Sequence, residues 1–163
     1  MDRLILLRHG KAEPDSDTGD DFDRRLASRG VQESGDMGAR LADMGFSPDL
    51  ALVSPAARAK ATWEAAGLHF PKAETRFDKD LYHADAVTIR REAMTVLEGC
   101  GTVMVVGHNP GLQDLTVQLL QEGGAPAGLI SRATHNFPTA TAAIFLIDDN
   151  RRPHFDGLFF PDR

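Results

Sequence analysis

The sequence predicts an α/β sandwich with a largely parallel sheet, and two observations support this fold class. Short apolar runs alternate along the 163 residues with longer segments whose apolar residues recur at helical spacing. Two of the runs, residues 3–7 and 102–106, are apolar at nearly every position, which is typical of strands covered on both faces. Because we find no internal repeat and no linker, we expect one domain over residues 1–163.

Six segments are predicted as strands. Their bounds are residues 3–7, 49–53, 74–77, 102–106, 140–147 and 153–160. The last two are joined by the polar turn Asp148-Asp149-Asn150, which predicts an antiparallel hairpin at the sheet edge. Residues 125–138, which precede this hairpin, are expected to form a loop.

Four helices are predicted from apolar periodicity and from start and stop residues. The residues expected at their starts are, in order, Ser28, Ser54-Pro55, Asp85 and Asn109-Pro110. Gly45 and Gly67 are expected to end the first two helices. The apolar residues expected to be buried are Val31, Met37, Leu41 and Met44, then Trp63, then Val87, Ala93, Met94 and Leu97, and finally Leu112, Leu115, Leu119 and Leu120.

The composition is that of an ordinary globular protein, with 42% hydrophobic and 26% charged residues. No apolar run approaches the roughly 20 residues of a membrane span, so no membrane association is expected. Nothing at the start resembles a signal peptide, and the single cysteine, Cys100, cannot form an internal disulfide. A cytoplasmic location is therefore expected.

The formal net charge of −6 arises in one acidic segment, residues 13–23. Its acids are Glu13, Asp15, Asp17, Asp20, Asp21 and Asp23, and it contains no base. Elsewhere acids and bases are equal in number, so no basic face remains for nucleic acid, which is not an expected partner. The segment is either a solvated mobile loop or a gate that repels small polyanions and favours protein-borne phosphate.

Three predicted strands end in polar residues, namely Arg8-His9-Gly10, Ser54-Pro55 with Arg58 in the next helical turn, and Gly107-His108-Asn109-Pro110. In a parallel sheet these ends share the edge at which ligands bind, beside helix N-termini that favour an anion. Arginine binds phosphate bidentately, and an imidazole can attack phosphorus. For Arg8-His9-Gly10 alone, the alternative is that these are ordinary polar residues at the point where a strand ends, with no functional role.

These motifs resemble the histidine phosphatase, or phosphoglycerate mutase-like, superfamily. The segments that carry the resemblance are Arg8-His9-Gly10, Ser54-Pro55-Ala56-Ala57-Arg58-Ala59-x-x-Thr62 and Gly107-His108-Asn109-Pro110. The short length, with Asp23-x-x-Leu26-x-x-x-Gly30 and Leu81-Tyr82-x-Ala84, is most similar to the small SixA-type phosphohistidine phosphatases. The likeness extends from the first strand to at least residue 115. It implies a three-layer α/β/α sandwich with a mixed six-stranded sheet in which one strand is antiparallel.

The resemblance implies that His9 is a nucleophile that forms a phosphohistidine intermediate, while Arg8, Arg58 and His108 hold the phosphoryl oxygens. His9 has to be neutral to attack, whereas His108 is expected to donate a hydrogen bond in its protonated form. Because these groups supply positive charge, neither a metal nor another cofactor is expected. Further candidates for substrate binding are Gly10, Lys11, Ser54, His83 and Asn109.

Larger members of this superfamily carry a glutamate that protonates an alcohol leaving group, and residues 78–85 show no clear counterpart. Asp80, His83 and Asp85 are candidates, although Asp85 is also explained as a helix cap. An imidazole leaving a phosphohistidine is far less basic than an alkoxide and scarcely needs a proton. The leading hypothesis is therefore a protein phosphohistidine phosphatase, with a phosphorylated histidine-phosphotransfer protein as a candidate partner.

Three alternative functions remain. The same chemistry could act on a small phosphate ester. A phosphoglycerate mutase is disfavoured because the chain is short. A phosphoprotein-binding module without catalysis would need the arginines but not His9.

Overall fold

A computed structural model describes residues 1–162 and contains a six-stranded mixed sheet. Its strands are β1 (Asp2–Arg8), β2 (Leu50–Val53), β3 (Glu74–Phe77), β4 (Thr102–Gly107), β5 (Ala142–Ile147) and β6 (Pro153–Phe159). Their order across the sheet is β3-β2-β4-β1-β5-β6. The first four strands are parallel, whereas β5 is antiparallel to both β1 and β6. Each predicted strand is found within two residues at either end, and the terminal hairpin lies at the sheet edge as predicted.

Five helices among the described residues cover the two faces of the sheet. They are α1 (Ser28–Asp43), α2 (Ala57–Gly67), α3 (Ala86–Leu97), α4 (Gly111–Glu122) and α5 (Ala127–His135). Successive side chains of a strand point to opposite faces, so Leu4 and Leu6 of β1 pack with residues of α3, α4 and α5. Ile5 and Leu7 pack with residues of α1 and α2 on the other face. The predicted three-layer sandwich is therefore confirmed.

Glycines allow α1 to approach its neighbours closely. A Cβ atom on Gly38 would lie 2.6 Å from the carbonyl oxygen of Ala66 in α2, and one on Gly30 would lie 2.2 Å from the carbonyl oxygen of Lys11. Small residues thus form much of the buried face of α1, and the apolar prediction for that face was partly wrong. The helix residues predicted to be buried but found exposed are Val31, Met44 and Val87.

Three helix starts differ from prediction. α1 begins at Ser28 itself, which therefore does not cap it. α2 begins at Ala57, two residues after the predicted first-turn proline, and the Ser54 hydroxyl lies 2.7 Å from His108 while it accepts only a long bond of 3.4 Å from the Ala56 N–H. α4 begins at Gly111, one residue later than the predicted first-turn proline.

The prediction of a loop over residues 125–138 was wrong, because this segment contains α5. Leu129, Ile130 and Ala133 recur at helical spacing and pack against the core. Pro126 stands just before the helix, so the signal was present but extended over only nine residues. No helix among residues 1–162 combines the length and hydropathy needed to cross a membrane.

Candidate active site

The strand register places His9 and His108 side by side. Arg8 of β1 is paired with Gly107 of β4, so the next residue of each strand is a histidine. The His9 N–H donates to the Gly107 carbonyl oxygen at 3.0 Å. The two ring centroids lie 5.2 Å apart, and both residues are buried. Two histidines that are distant in sequence thus share the edge where parallel strands end.

The ring of His9 is oriented by the backbone. Its Nδ1 lies 2.7 Å from the Gly10 carbonyl oxygen, and since a carbonyl oxygen only accepts, Nδ1 carries the proton and Nε2 keeps its lone pair. The Gly10 N–H donates to Oγ1 of Thr62 at 2.9 Å, and the Thr62 hydroxyl donates to the Arg58 carbonyl oxygen at 2.7 Å. These bonds join the end of β1 to the turn of α2 that carries Arg58.

The ring of His108 is held by Ser54. Val53 of β2 is aligned with Val106 of β4, which brings Ser54 next to His108, with Nε2 and Oγ 2.7 Å apart. The other ring nitrogen, Nδ1, is buried and has no hydrogen-bond partner. Because buried polar atoms usually have a partner, this nitrogen is well suited to bond a ligand.

Two arginines flank the imidazoles. The Nη1 and Nη2 atoms of Arg58 donate to the carbonyl and carboxylate oxygens of Asp21 at 2.8 and 3.0 Å. Its Nε is buried and has no hydrogen-bond partner. Nη1 of Arg8 donates to the Phe137 carbonyl oxygen at 2.9 Å. Both guanidinium charges act on the ring of His9.

Burial keeps both imidazoles neutral at neutral pH. It lowers the pKa of His9 from 6.5 to about 4, and the charges of Arg58 and Arg8 act in the same direction. Burial likewise lowers the pKa of His108 from 6.5 to about 3, with His9 and Arg58 lowering it further. A neutral His9 agrees with the expectation from sequence. His108 is neutral as well, because a buried cation beside Arg58 is unfavourable; a protonated His108 beside a bound phosphoryl group stays a prediction.

Asp21, which the sequence presented only as one acid of the segment 13–23, lies in the site. Besides binding Arg58, the Asp21 carboxylate accepts hydrogen bonds from the Tyr82 hydroxyl at 2.7 Å and from Nε of Arg24 at 2.9 Å. The bonds from Tyr82 and the two arginines hold the pKa of Asp21 well below its usual range. The hint of this contact in the sequence is that Tyr82, which binds Asp21, belongs to the Leu81-Tyr82-x-Ala84 segment.

The remaining substrate-binding candidates have other surroundings. The side chain of Lys11 is exposed. The Asn109 side chain donates to the Phe137 carbonyl oxygen and accepts from the Gln113 N–H, so it supports the local backbone. His83 is exposed, with Nε2 3.9 Å from the carboxylate of Asp21. Its φ of 58° lies in the left-handed region, which is uncommon outside glycine.

Of the three candidate proton donors, Asp85 caps α3 as predicted. The carboxylate of Asp80 lies within 4.8 Å of those of Asp78 and Glu92, which places it in an acidic cluster. His83 is therefore the candidate that contacts a residue of the imidazole site.

Comparison with known proteins identifies close similarities. Residues 4–98 match the profile of the histidine phosphatase superfamily (branch 1). The sequence is 34% identical over 142 residues to an uncharacterized protein of Mycobacterium tuberculosis, covering 86% of this chain and 87% of that protein. The Agrobacterium tumefaciens structure assigned as phosphohistidine phosphatase SixA has a TM-score of 0.83 and 29% identity over 98% of both chains. The fold is also that of a phosphoglycerate mutase from Plasmodium falciparum, with a TM-score of 0.66 and 18% identity over 99% of this chain and 95% of that one.

Proposed function

Since the chain belongs to the histidine phosphatase superfamily and is a phosphatase of the SixA type, we propose that it hydrolyses phosphohistidine in proteins with His9 as nucleophile. The observation that carries this proposal is a pair of buried nitrogens near the His9 ring, Nε of Arg58 and Nδ1 of His108, that have no hydrogen-bond partner in the protein. The ring centroid of His108 lies 5.2 Å from that of His9, and the charge of Arg58 acts on His9. A phosphoryl group bound between these residues would give both nitrogens a partner.

His9 is suited to direct attack because its lone pair is available. With its pKa lowered to about 4, the ring is neutral at pH 7, and the bond from Nδ1 to Gly10 leaves Nε2 unprotonated. In the first step the second nitrogen of the substrate imidazole carries a proton taken from solvent, a bond forms from Nε2 of His9 to phosphorus, and the bond to the leaving nitrogen breaks, so that the substrate ring departs as neutral imidazole. In the second step water attacks phosphorus and gives a proton to solvent, the bond from Nε2 to phosphorus breaks, and inorganic phosphate leaves with His9 neutral again.

The charge that develops on the phosphoryl oxygens would be stabilised by Arg8, Arg58 and His108. When the Ser54 hydroxyl donates to Nε2 of His108, the ring proton lies on Nδ1, and His108 can donate while neutral. A bound dianion would also raise the pKa of His108. The site can therefore supply a donor in either protonation state.

The leaving group is indicated by the protonation state of the carboxylate in the site. Asp21 is ionised at neutral pH because its pKa lies well below the usual range, so it cannot protonate an alkoxide. An imidazole leaving group has little need of a proton donor. This favours a P–N bond over a phosphate ester as the substrate.

Labelling tests the nucleophile. The protein is incubated with a histidine-phosphotransfer protein carrying a 32P-labelled phosphohistidine, and acid-labile label on the phosphatase is measured. We expect label on the wild type and on a His69→Ala control, which removes an exposed histidine, but not on His9→Ala. Label or phosphate release by His9→Ala at the wild-type rate would contradict the proposal. Binding without label or release by the wild type would indicate the phosphoprotein-binding module instead.

A second comparison tests the leaving group. His83→Ala and the wild type are assayed on the phosphohistidine protein and on an alkyl phosphate, and we expect little loss on the former. Equal, severe losses on both substrates would identify His83 as a general acid and contradict the leaving-group argument. A higher kcat/KM on a panel of sugar phosphates would favour the small-molecule phosphomonoesterase.

A further inference from the structure

Asp21 shares the guanidinium of Arg58 with the proposed phosphate position. The Arg58 side chain is 5% exposed, and both of its terminal nitrogens donate to Asp21. Its Nε, on another edge of the planar group, has no hydrogen-bond partner. A guanidinium carries five N–H donors, so a phosphoryl oxygen can bond the Nε side while Asp21 keeps the terminal edge. The carboxylate and the phosphoryl group would then be neighbours around one cation.

The negative charge of Asp21 is permanent over the pH range in which the protein would work. Hydrogen bonds from Tyr82, Arg58 and Arg24 keep its pKa well below the usual range. The other charged groups beside the two imidazoles, Arg8 and Arg58, are positive. Asp21 therefore reduces the positive potential that a phosphate meets in the pocket.

We propose that Asp21 is a specificity-determining residue that disfavours free phosphate and small, multiply charged phosphates relative to a phosphoryl group on a protein side chain. The inference rests on the proposed function, since it concerns the same site. Repulsion by Asp21 acts on the phosphoryl charge of every substrate, but a protein can offset it with contacts outside the pocket, whereas a small molecule cannot. Each additional phosphate on a small substrate adds to the repulsion. The same repulsion favours release of the inorganic phosphate product.

The chain offers a matched pair of substitutions. D21N removes the charge and retains the side-chain size, an oxygen that can accept from Tyr82, and the backbone carbonyl that accepts from Arg58. D20N removes the adjacent charge of the same loop, where Asp20 is exposed and its backbone bonds Ser16 and Thr18. Comparing D21N with D20N distinguishes the effect of the charge next to Arg58 from the effect of the overall charge of the loop.

Binding of inorganic phosphate is measured by isothermal titration calorimetry at two ionic strengths, which requires no turnover. Because the Asp21 side chain is 43% exposed, its repulsion is partly screened, and we expect D21N to lower the Kd for phosphate roughly five- to tenfold at low salt. The gain should shrink at high salt, which a purely structural effect would not show. D20N should stay within about twofold of the wild type. In steady-state assays, D21N should lower KM more for a sugar bisphosphate than for the phosphohistidine protein.

Three results overturn the inference. The first is an unchanged or higher Kd in D21N. The second is the absence of phosphate binding by all three proteins. The third is an equal gain in D20N, which would assign the effect to the loop charge as a whole. If D21N tightens phosphate binding as expected while the wild type takes no label from a phosphohistidine donor, the proposed function fails and the effect of Asp21 on anion binding stands.

Discussion

Acid should destabilise the folded protein through His9 and His108 over a defined pH range. Burial lowers their pKa values from 6.5 to about 4 and about 3. A histidine whose pKa is lower in the folded than in the unfolded chain contributes stability that is fully present above the unfolded value. That contribution is lost as pH falls below about 6.5 toward the folded value, so we expect the loss between pH 6.5 and 4 and not above pH 7.

The size of the effect follows from the shift in pKa. For His9, the difference between 6.5 and about 4 corresponds to a total loss of roughly 3 kcal/mol once the pH lies below both values. Between pH 7 and pH 5 the loss should be about 2 kcal/mol. His108 should contribute a similar loss over this interval, although the two rings interact and their effects will not simply add.

Urea denaturation of the wild type and of His9→Gln at pH 7 and pH 5 measures this loss. Carboxylates titrate in both proteins, so the difference between their pH dependences reports His9 together with its effect on the pKa of His108. We expect the free energy of unfolding of the wild type to fall by about 2 kcal/mol more than that of His9→Gln. A His69→Gln control should follow the wild type. Equal pH dependence in the wild type and His9→Gln would show that the folded state does not hold His9 neutral.

Two further predictions concern the support of the site. Gly30→Ala should lower the melting temperature and the labelling rate, because its Cβ would lie 2.2 Å from the carbonyl oxygen of Lys11, close to the nucleophile. The control is Gly35→Ala in the same helix, where the nearest atom is 4.0 Å away, and this change should be neutral or stabilise the protein by about 0.5–1 kcal/mol. Equal losses in the two variants would refute the steric argument. Thr62→Val should lower the free energy of unfolding, measured by urea denaturation, by about 1–3 kcal/mol because it leaves the buried Gly10 N–H without an acceptor. Thr62→Ser should retain most of the wild-type stability. An equal loss in the serine variant would assign the effect to packing.

The parts of the fold that the sequence predicted well are those set by local burial. β1 and β4 are apolar at nearly every position because both faces of a central strand are covered. The polar residues that follow them mark where each strand ends. Because parallel strands share an edge, the placement of His9 near His108 could be argued without coordinates.

Where prediction failed, distant contacts overrode local signals. Ser54 has the form of a helix cap, but its hydroxyl is used by His108, which lies far away in the sequence. The helix α5 is only nine residues long, so its apolar residues Leu129, Ile130 and Ala133 give a pattern too short to stand out from a loop. Asp21 is one of six similar acids, and what distinguishes it is contact with Arg58 and Tyr82, which only the tertiary fold creates.

The Phe137 carbonyl oxygen accepts hydrogen bonds from both Arg8 and Asn109, and β1 pairs along one side with β5. Both contacts come from residues 137–147, which the ribosome synthesises after the three motif segments. A nascent chain that has emerged only as far as Asn109 already holds His9, Arg58 and His108, yet β1 still lacks a neighbour on one side and Arg8 lacks its backbone acceptor. Dephosphorylation by this protein is therefore expected to begin only after β5 has also emerged from the ribosome.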